Sequence, residues 1–223
     1  MRKIRYRVLA LCVAVIILLG TLVPEIESQA AVTYNIRVNV AANVVTIYQN
    51  GVAVKAMLCS TGPSTPVSGT YDVGTHYRWW PLFDNVYGQY CTRITGHILF
   101  HSVPYLKNGD PSSLEYDEYD KLGTSASLGC IRLTVADAKW IYDNCFKSNA
   151  TVTFYMDAAN PGPLGVPTTQ KITSSGIVMR GWDPTDPDPN NPWTGGNGVP
   201  GAAEAAARQA AAQQTTTVQA TTA

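Results

Sequence analysis

Charge is scarce in this 223-residue chain. Asp, Glu, Lys and Arg make up 14% of it, 16 basic residues balance 16 acidic ones, and the formal net charge at pH 7 is zero. A chain without a positive field lacks the electrostatic footprint of a nucleic-acid binder. Histidine is scarcer still, at three. No Cys-x-x-Cys spacing accompanies the one His-x-x-x-His spacing, His97 to His101, which argues against a zinc site, and no cofactor is expected. No internal repeat is evident. Apolar runs are short: Val8 to Val23, broken by Gly20 and Thr21, falls below the roughly 20 residues that a spanning helix needs. Tyrosine, by contrast, is plentiful at 12. With so little charge, that composition suits a β-rich domain handling a polar polymer.

The termini differ from the middle. Residues 1–31 begin with the basic stretch Met1-Arg-Lys-Ile-Arg-Tyr-Arg7, continue through the apolar run, and end in Pro24 and the small residues Ser28-Gln29-Ala30-Ala31. This is the pattern of a secretory signal. An uncleaved anchor is the alternative and would be the chain's one membrane contact. Either way the remainder is expected to be exported, to the cell wall or the outer face of the cytoplasmic membrane. Residues 32–157 read as one domain. Residues 158–194 form a proline-rich extension, entered by a linker punctuated by Pro161, Pro163 and Pro167, and 195–223 form a low-complexity tail with little to bury.

Alternating apolar and polar residues predict strands at Ile36–Val40 and Val44–Tyr48. Gln49-Asn50-Gly51 is a hairpin turn signal, with Val52–Leu58 as the returning strand. Ser60 to Gly69 is a loop on turn chemistry, and Thr70–Val73 resumes a strand. Arg78-Trp79-Trp80-Pro81-Leu82-Phe83 is an aromatic cluster, read either as core packing or as the wall of a groove. Period two over Gly96–His101 places His97, Leu99 and His101 on one face. Val103–Lys121, with its acidic run, is a polar excursion that is either a solvated face or a lid. Thr134-Val-Ala-Asp137 resembles a capping box ahead of a helix reaching Cys145, and Thr151–Met156 is a last strand.

The chain is organised around Ser127-Leu128-Gly129-Cys130-Ile131-Arg132. Gly129 allows a sharp turn that presents Cys130 with its backbone N–H groups facing a substrate. A cysteine paired with a histidine on a rigid element is the nucleophile–base arrangement of acyl transfer, and His101 ends an apolar run. The N–H groups of Gly129 and Cys130 would then form an oxyanion hole. Arg132 is suited to a bidentate bond with a substrate carboxylate, or to a surface ion pair. Of the exported cysteines, Cys59, Cys91 and Cys145 leave room for at most one disulfide if Cys130 is a free nucleophile.

Ile98-Leu-Phe-His101-Ser-Val-Pro-Tyr105, Leu122-Gly123 and Ser127-x-Gly129-Cys130-Ile131-Arg132-Leu133 together resemble the L,D-transpeptidase family, over roughly Tyr34 to Met156. Leu128 departs from it, standing where the family's Ser-His-Gly-Cys has a histidine. The resemblance implies a mainly β fold: a sandwich with a mixed sheet and one short helix after the cysteine. It implies Cys130 as nucleophile, His101 as base, the Ser102 carbonyl as the group orienting His101, and Gly129 beside the oxyanion. It places Arg132, Ser127, His97 and Tyr105 on the substrate side. The partners implied are peptidoglycan stem peptides, with carbapenem β-lactams as covalent inhibitors. The reaction implied is transpeptidation through a thioester to the side-chain amine of a diamino acid, forming 3-3 cross-links. An L,D-carboxypeptidase is the second reading and a non-catalytic wall-binding module the third. A papain-like peptidase would carry its cysteine before its histidine, the reverse of the order here.

Overall fold

The computed structural model describes residues 31–194. The expected signal or anchor, up to residue 30, and the tail 195–223 lie outside the described residues. No helix among the described residues is long and apolar enough to cross a membrane.

The domain is mainly β. Its strands are β1 (Tyr34–Asn39), β2 (Val44–Gln49), β3 (Val52–Leu58), β4 (Gly69–Asp72), β5 (His76–Pro81), β6 (Tyr87–Thr95), β7 (Ile98–Ser102), β8 (Ile131–Leu133) and β9 (Ala150–Tyr155). Among the described residues there are three α-helices: α1 (Tyr116–Tyr119), α2 (Val135–Asn144) and α3 (Ile177–Arg180). One sheet runs β3-β2-β1-β9-β4 and the other β5-β6-β7-β8. Both are mixed: β1 pairs with β9 in parallel, and β7 with β8 in parallel, while the remaining pairs are antiparallel. A parallel pair needs a crossover, and the long excursion 103–130 is that crossover between β7 and β8.

The alternation of β1 has the expected result. Ile36 and Val38 are wholly buried, while Arg37 on the other face lies over the rings of Tyr48 and Tyr155. The core joins these residues to Val45, Ile47 and Met57, to Phe100 and Ile131 of the second sheet, and to Val135, Ala138 and Ile141 of α2. Burying an aliphatic or aromatic side chain of this size contributes roughly 1.5–3 kcal/mol. Thr134 caps α2, its hydroxyl accepting from the Asp137 N–H at 3.3 Å. The other half of the capping box is not formed, because the Asp137 carboxylate pairs with Lys55 at 2.8 Å.

The β5–β6 hairpin has no counterpart in the sequence reading, which took 78–83 as an aromatic cluster. Period two fails in β6 at Tyr90, a strand residue at φ 51, where a side chain is strained. Tyr90 turns its ring under the Arg78 guanidinium, 4.0 Å from the ring centroid, and packs edge-on against Tyr142 of α2.

The proline-rich extension is a packed part of the domain from Lys171 onward. Asp120 accepts from the N–H groups of Ile172 and Thr173 at 2.8 and 3.0 Å, and Ile172 is wholly buried. Prolines keep 182–191 out of a sheet, but its polar residues form successive turns that satisfy the backbone locally. Asp183 accepts from the Thr185 N–H, Asp186 from the Asp188 N–H and Asp188 from the Asn190 N–H. A chain that closes its own polar groups in this way can be buried, and Asp183, Asp186 and Asn191 are.

Candidate active site

Cys130 lies on the turn that enters β8, next to β7 in the sheet. The register sets His101 opposite Arg132, so residues 99 and 101 of β7 and 130 and 132 at β8 present side chains to one face. His101, Cys130 and Arg132 all line a cleft of about 800 Å³, together with Ser64, Arg93, His97, Glu115, Glu118, Ser127, Leu128 and Gly129. Trp80, Pro81, Leu82 and Phe83 form another wall. Trp79 points the other way and meets Tyr105 edge-on. The aromatic cluster is therefore divided between groove and core.

The nucleophile turn is braced by the loop after β3. The Ser127 N–H donates to Thr61 C=O at 3.0 Å, the Ser64 N–H to Leu128 C=O at 3.0 Å, and the Thr65 hydroxyl to Gly129 C=O at 2.7 Å. Ser60 and Arg132 exchange backbone bonds at 2.9 and 3.0 Å. The approach is so close that a Cβ on Gly62 would sit 2.0 Å from the Ser127 carbonyl oxygen, so only glycine fits there. Neither the Gly129 nor the Cys130 N–H donates to a protein acceptor among the described residues. Two adjacent donors beside a thiol are the elements of an oxyanion hole.

His101 is buried, and its Nδ1 lies 2.6 Å from the Ser102 carbonyl oxygen. A carbonyl only accepts, so Nδ1 carries the hydrogen and Nε2 keeps its lone pair. Burial pushes the imidazole down to about 4; the Ser102 bond opposes this and the Arg132 charge adds to it. Burial also raises the Cys130 thiol, against the Leu99 N–H and the charges of Arg132 and Arg93. The resting pair is thus a neutral thiol and a neutral imidazole, and the thiol is bonded to the His97 carbonyl at 3.4 Å.

The other residues singled out by sequence are placed as follows. His97 is exposed in the turn before β7 rather than in the strand, so it meets Cys130 through its backbone and lines the cleft. Ser127 lines the cleft, but its hydroxyl donates to the Cys130 carbonyl at 2.6 Å. Arg132 is ion-paired with Glu118 of α1, which also holds Lys121 at 2.5 Å. The polar excursion therefore forms a cleft wall fixed by that pair. Tyr105 does not reach the cleft. It is wholly buried, its hydroxyl accepts from Gln89, and it belongs to the framework behind the site. An aromatic this large, next to a strand end, gains more from core burial than a groove offers. Cys59, Cys91, Cys130 and Cys145 are all free. No group of histidine, cysteine and acidic residues suited to a metal occurs among the described residues.

Sequence reasoning missed Gln89, Thr65, Gly62 and Gly88. A Cβ on Gly88 would meet Cys91 Sγ and His101 Cβ, each at 3.0 Å. The Gly62 and Thr65 loop was legible as turn chemistry and as a stretch resembling the family's, without the bonds it makes to the nucleophile turn, and nothing local marks Gln89.

A family model described as the L,D-transpeptidase catalytic domain (YkuD) matches residues 33–153, which contain all of these cleft elements. The chain belongs to the L,D-transpeptidase family. Among its relatives is the putative L,D-transpeptidase YciB of Bacillus subtilis (strain 168), 55% identical over 49 residues, covering 22% of this chain and 24% of that one. Solved structures similar to it include the L,D-transpeptidase LdtMt1 in complex with imipenem, with a TM-score of 0.43 and 22% identity over 56% of this chain and 59% of that chain. Another is L,D-transpeptidase 3 from Mycobacterium tuberculosis in complex with a faropenem-derived adduct, with a TM-score of 0.41 and 21% identity over 56% of this chain and 61% of that one. The chain thus spans about a quarter of YciB and less than two thirds of either solved chain.

Proposed function

We propose that this L,D-transpeptidase family member is a cysteine acyltransferase acting on peptidoglycan stem peptides. The observation that carries the reading is Cys130 on a turn with two unpartnered N–H groups, sharing a cleft with a neutral His101 whose Nδ1 is tied to Ser102. Substrate binding re-aims the thiol proton from the His97 carbonyl to His101 Nε2. As the proton leaves, Sγ attacks the carbonyl of the third stem residue. The Gly129 and Cys130 N–H groups hold the oxyanion, each contributing a few kcal/mol. The tetrahedral intermediate expels the terminal D-alanine, whose amine takes the proton from the imidazolium. The resulting thioester is attacked by the side-chain amine of a diamino acid on a neighbouring stem. That amine loses a proton to His101, and Sγ departs to regain it, which leaves a 3-3 cross-link and the starting enzyme.

Arg132 is the proposed anchor for a substrate carboxylate, in exchange for Glu118. The exposed Leu128 lines the groove and can only shape it, since it has no hydrogen-bonding group. We assign the protein to the exported compartment on its basic, then apolar, N-terminal segment.

Intact mass after incubation with imipenem tests the first half-reaction. An adduct on the wild type that is absent from Cys130→Ala is expected, and labelling that survives the substitution would refute it. Muropeptide analysis then separates 3-3 dimers from trimmed tripeptides, the products of a carboxypeptidase.

A further inference from the structure

Ser102, whose carbonyl orients His101, is itself held from behind by a chain of contacts that ends outside the span the family model covers. Ser102 donates its hydroxyl to Val103 C=O at 2.9 Å and accepts the Gln89 N–H at 3.0 Å. The Gln89 side chain is wholly buried and fully bonded. Its amide donates to Tyr105 Oη at 2.9 Å and to Asp186 Oδ2 at 2.7 Å, and its oxygen accepts from Arg78 at 2.7 Å. A carboxylate on one side and a guanidinium on the other leave the amide one orientation. Asp186 is buried too, and its second oxygen accepts from the Asp188 N–H at 3.0 Å. Gln89 precedes the strained Tyr90, whose ring lies under the same Arg78 guanidinium. Gly88, on the other side of Gln89, lies so close to His101 that a Cβ there would sit 3.0 Å from His101 Cβ, so a shift of this strand displaces the imidazole.

We infer that Asp186, in the packed extension, is a positioning residue for His101. It acts through Gln89 and Ser102 to fix the direction of the imidazole that shares the cleft with Cys130. The extension beyond residue 153 is then part of the working site. This rests on the acyltransfer reading above. A charge-assisted bond suits the task, because such bonds are shorter and stronger than neutral ones and this one is shielded from water. Removing it leaves one Gln89 N–H unpaired beside a strained residue, which loosens the strand on which the Ser102 carbonyl depends.

The test compares the wild-type chain with Asp186→Ala and Asp186→Asn. Acylation by imipenem is followed by intact mass across a concentration range, so that the maximal rate and the half-saturating concentration are separated. Imidazole ¹⁵N spectra are recorded in parallel, and with only three histidines the His101 signals are assignable by substitution. Asp186→Ala should lower the maximal rate about 10- to 100-fold, the scale of a small misplacement of a reacting group, with little change in half-saturation. Asp186→Asn keeps one acceptor for Gln89 and should recover most of that loss. The His101 Nδ1–H signal should broaden or shift in Asp186→Ala. The double variant with Ser102→Ala should be no slower than the slower single variant, as expected for residues acting in one chain of contacts.

A folded Asp186→Ala with the wild-type rate and an unchanged His101 signal overturns the proposal. If Asp186→Ala does not fold, Asp186→Leu decides, since it fills the same space without an acceptor for Gln89. A rate loss with a shifted Nδ1–H signal supports the relay, and a wild-type rate with a wild-type signal overturns it. Should the wild type take no β-lactam at all, the acyltransfer reading fails by itself, and the ¹⁵N comparison still tells whether Asp186 sets the His101 imidazole.

Discussion

An acid titration of the acylation step reads the environment of His101 directly. The imidazole is buried and titrates at about 4 instead of 6.5. At pH 5.5 an imidazole at 6.5 would be only about 10% neutral, whereas one at about 4 is about 97% neutral. If His101 takes the thiol proton, the rate at pH 5.5 should hold near its pH 7 value, where an ordinary histidine would lose about tenfold. The assay is imipenem acylation of Cys130 by intact mass between pH 4.5 and 8, with the fold checked by circular dichroism at each point. An acid limb centred near 6.5 in folded protein would refute the reasoning. The same burial affects stability. The unfolded chain takes up a proton at 6.5 and the folded chain only near 4. The contribution of His101 is therefore complete above 6.5 and is lost as pH falls toward 4, by about 3 kcal/mol in all.

Asp183 acts in the opposite sense. Burial raises its carboxyl from 3.8 to about 7 in spite of its bonds from Thr185 and the Val135 N–H, so stability falls as pH rises from about 4 to 7. In Asp183→Asn the opposing slope is gone, and Tm should climb with pH between 4.5 and 6.5 more steeply than in the wild type; equal slopes by calorimetry would contradict this. Gly88→Ala forces a Cβ to within 3.0 Å of His101 Cβ and 3.1 Å of its Cγ, and should slow acylation about 100-fold in folded protein, which stopped-flow or mass kinetics would show. Glu118→Gln releases Arg132 and should lower KM for a tetrapeptide stem, whereas Arg132→Ala should raise it about tenfold or more; unchanged KM in both would remove Arg132 from the binding site. Leu128→His should change acylation by about tenfold or less if base catalysis resides in His101; a thousandfold gain with a silent His101→Ala would reverse that assignment.

What could be read from residues alone is what depends on short-range pattern. The period of β1, the Asn50-Gly51 turn with both residues at positive φ, the Thr134 cap and the Ser127–Arg132 run all declare themselves within a few positions. The cysteine and histidine could be paired from their motifs, and the neighbouring Ser102 carbonyl lies one residue from the base. Strand β6 could not be read, because Tyr90 at positive φ breaks the alternation that marks a strand, and the strain is held only by Arg78 and α2 packed around the ring. Tyr105 and His97 show the same limit. A motif places a residue near the site in sequence, but burial and the point where a strand begins decide which way its side chain turns.

The sequence by itself determined the chemistry the protein is equipped for: a thiol on a glycine turn, a histidine at a strand end, and a composition with no field for nucleic acid and no ligand set for zinc. Tertiary structure decided the state of that chemistry. Burial makes the histidine neutral and raises the thiol, because a pKa depends on what surrounds a group and not on its neighbours in the chain. It also decided that Glu118 holds Arg132, and that a proline-rich segment 85 residues beyond the histidine, by way of Asp186, closes the hydrogen-bond chain behind it. Those contacts join residues far apart in sequence, and their energy exists only once both sheets have packed.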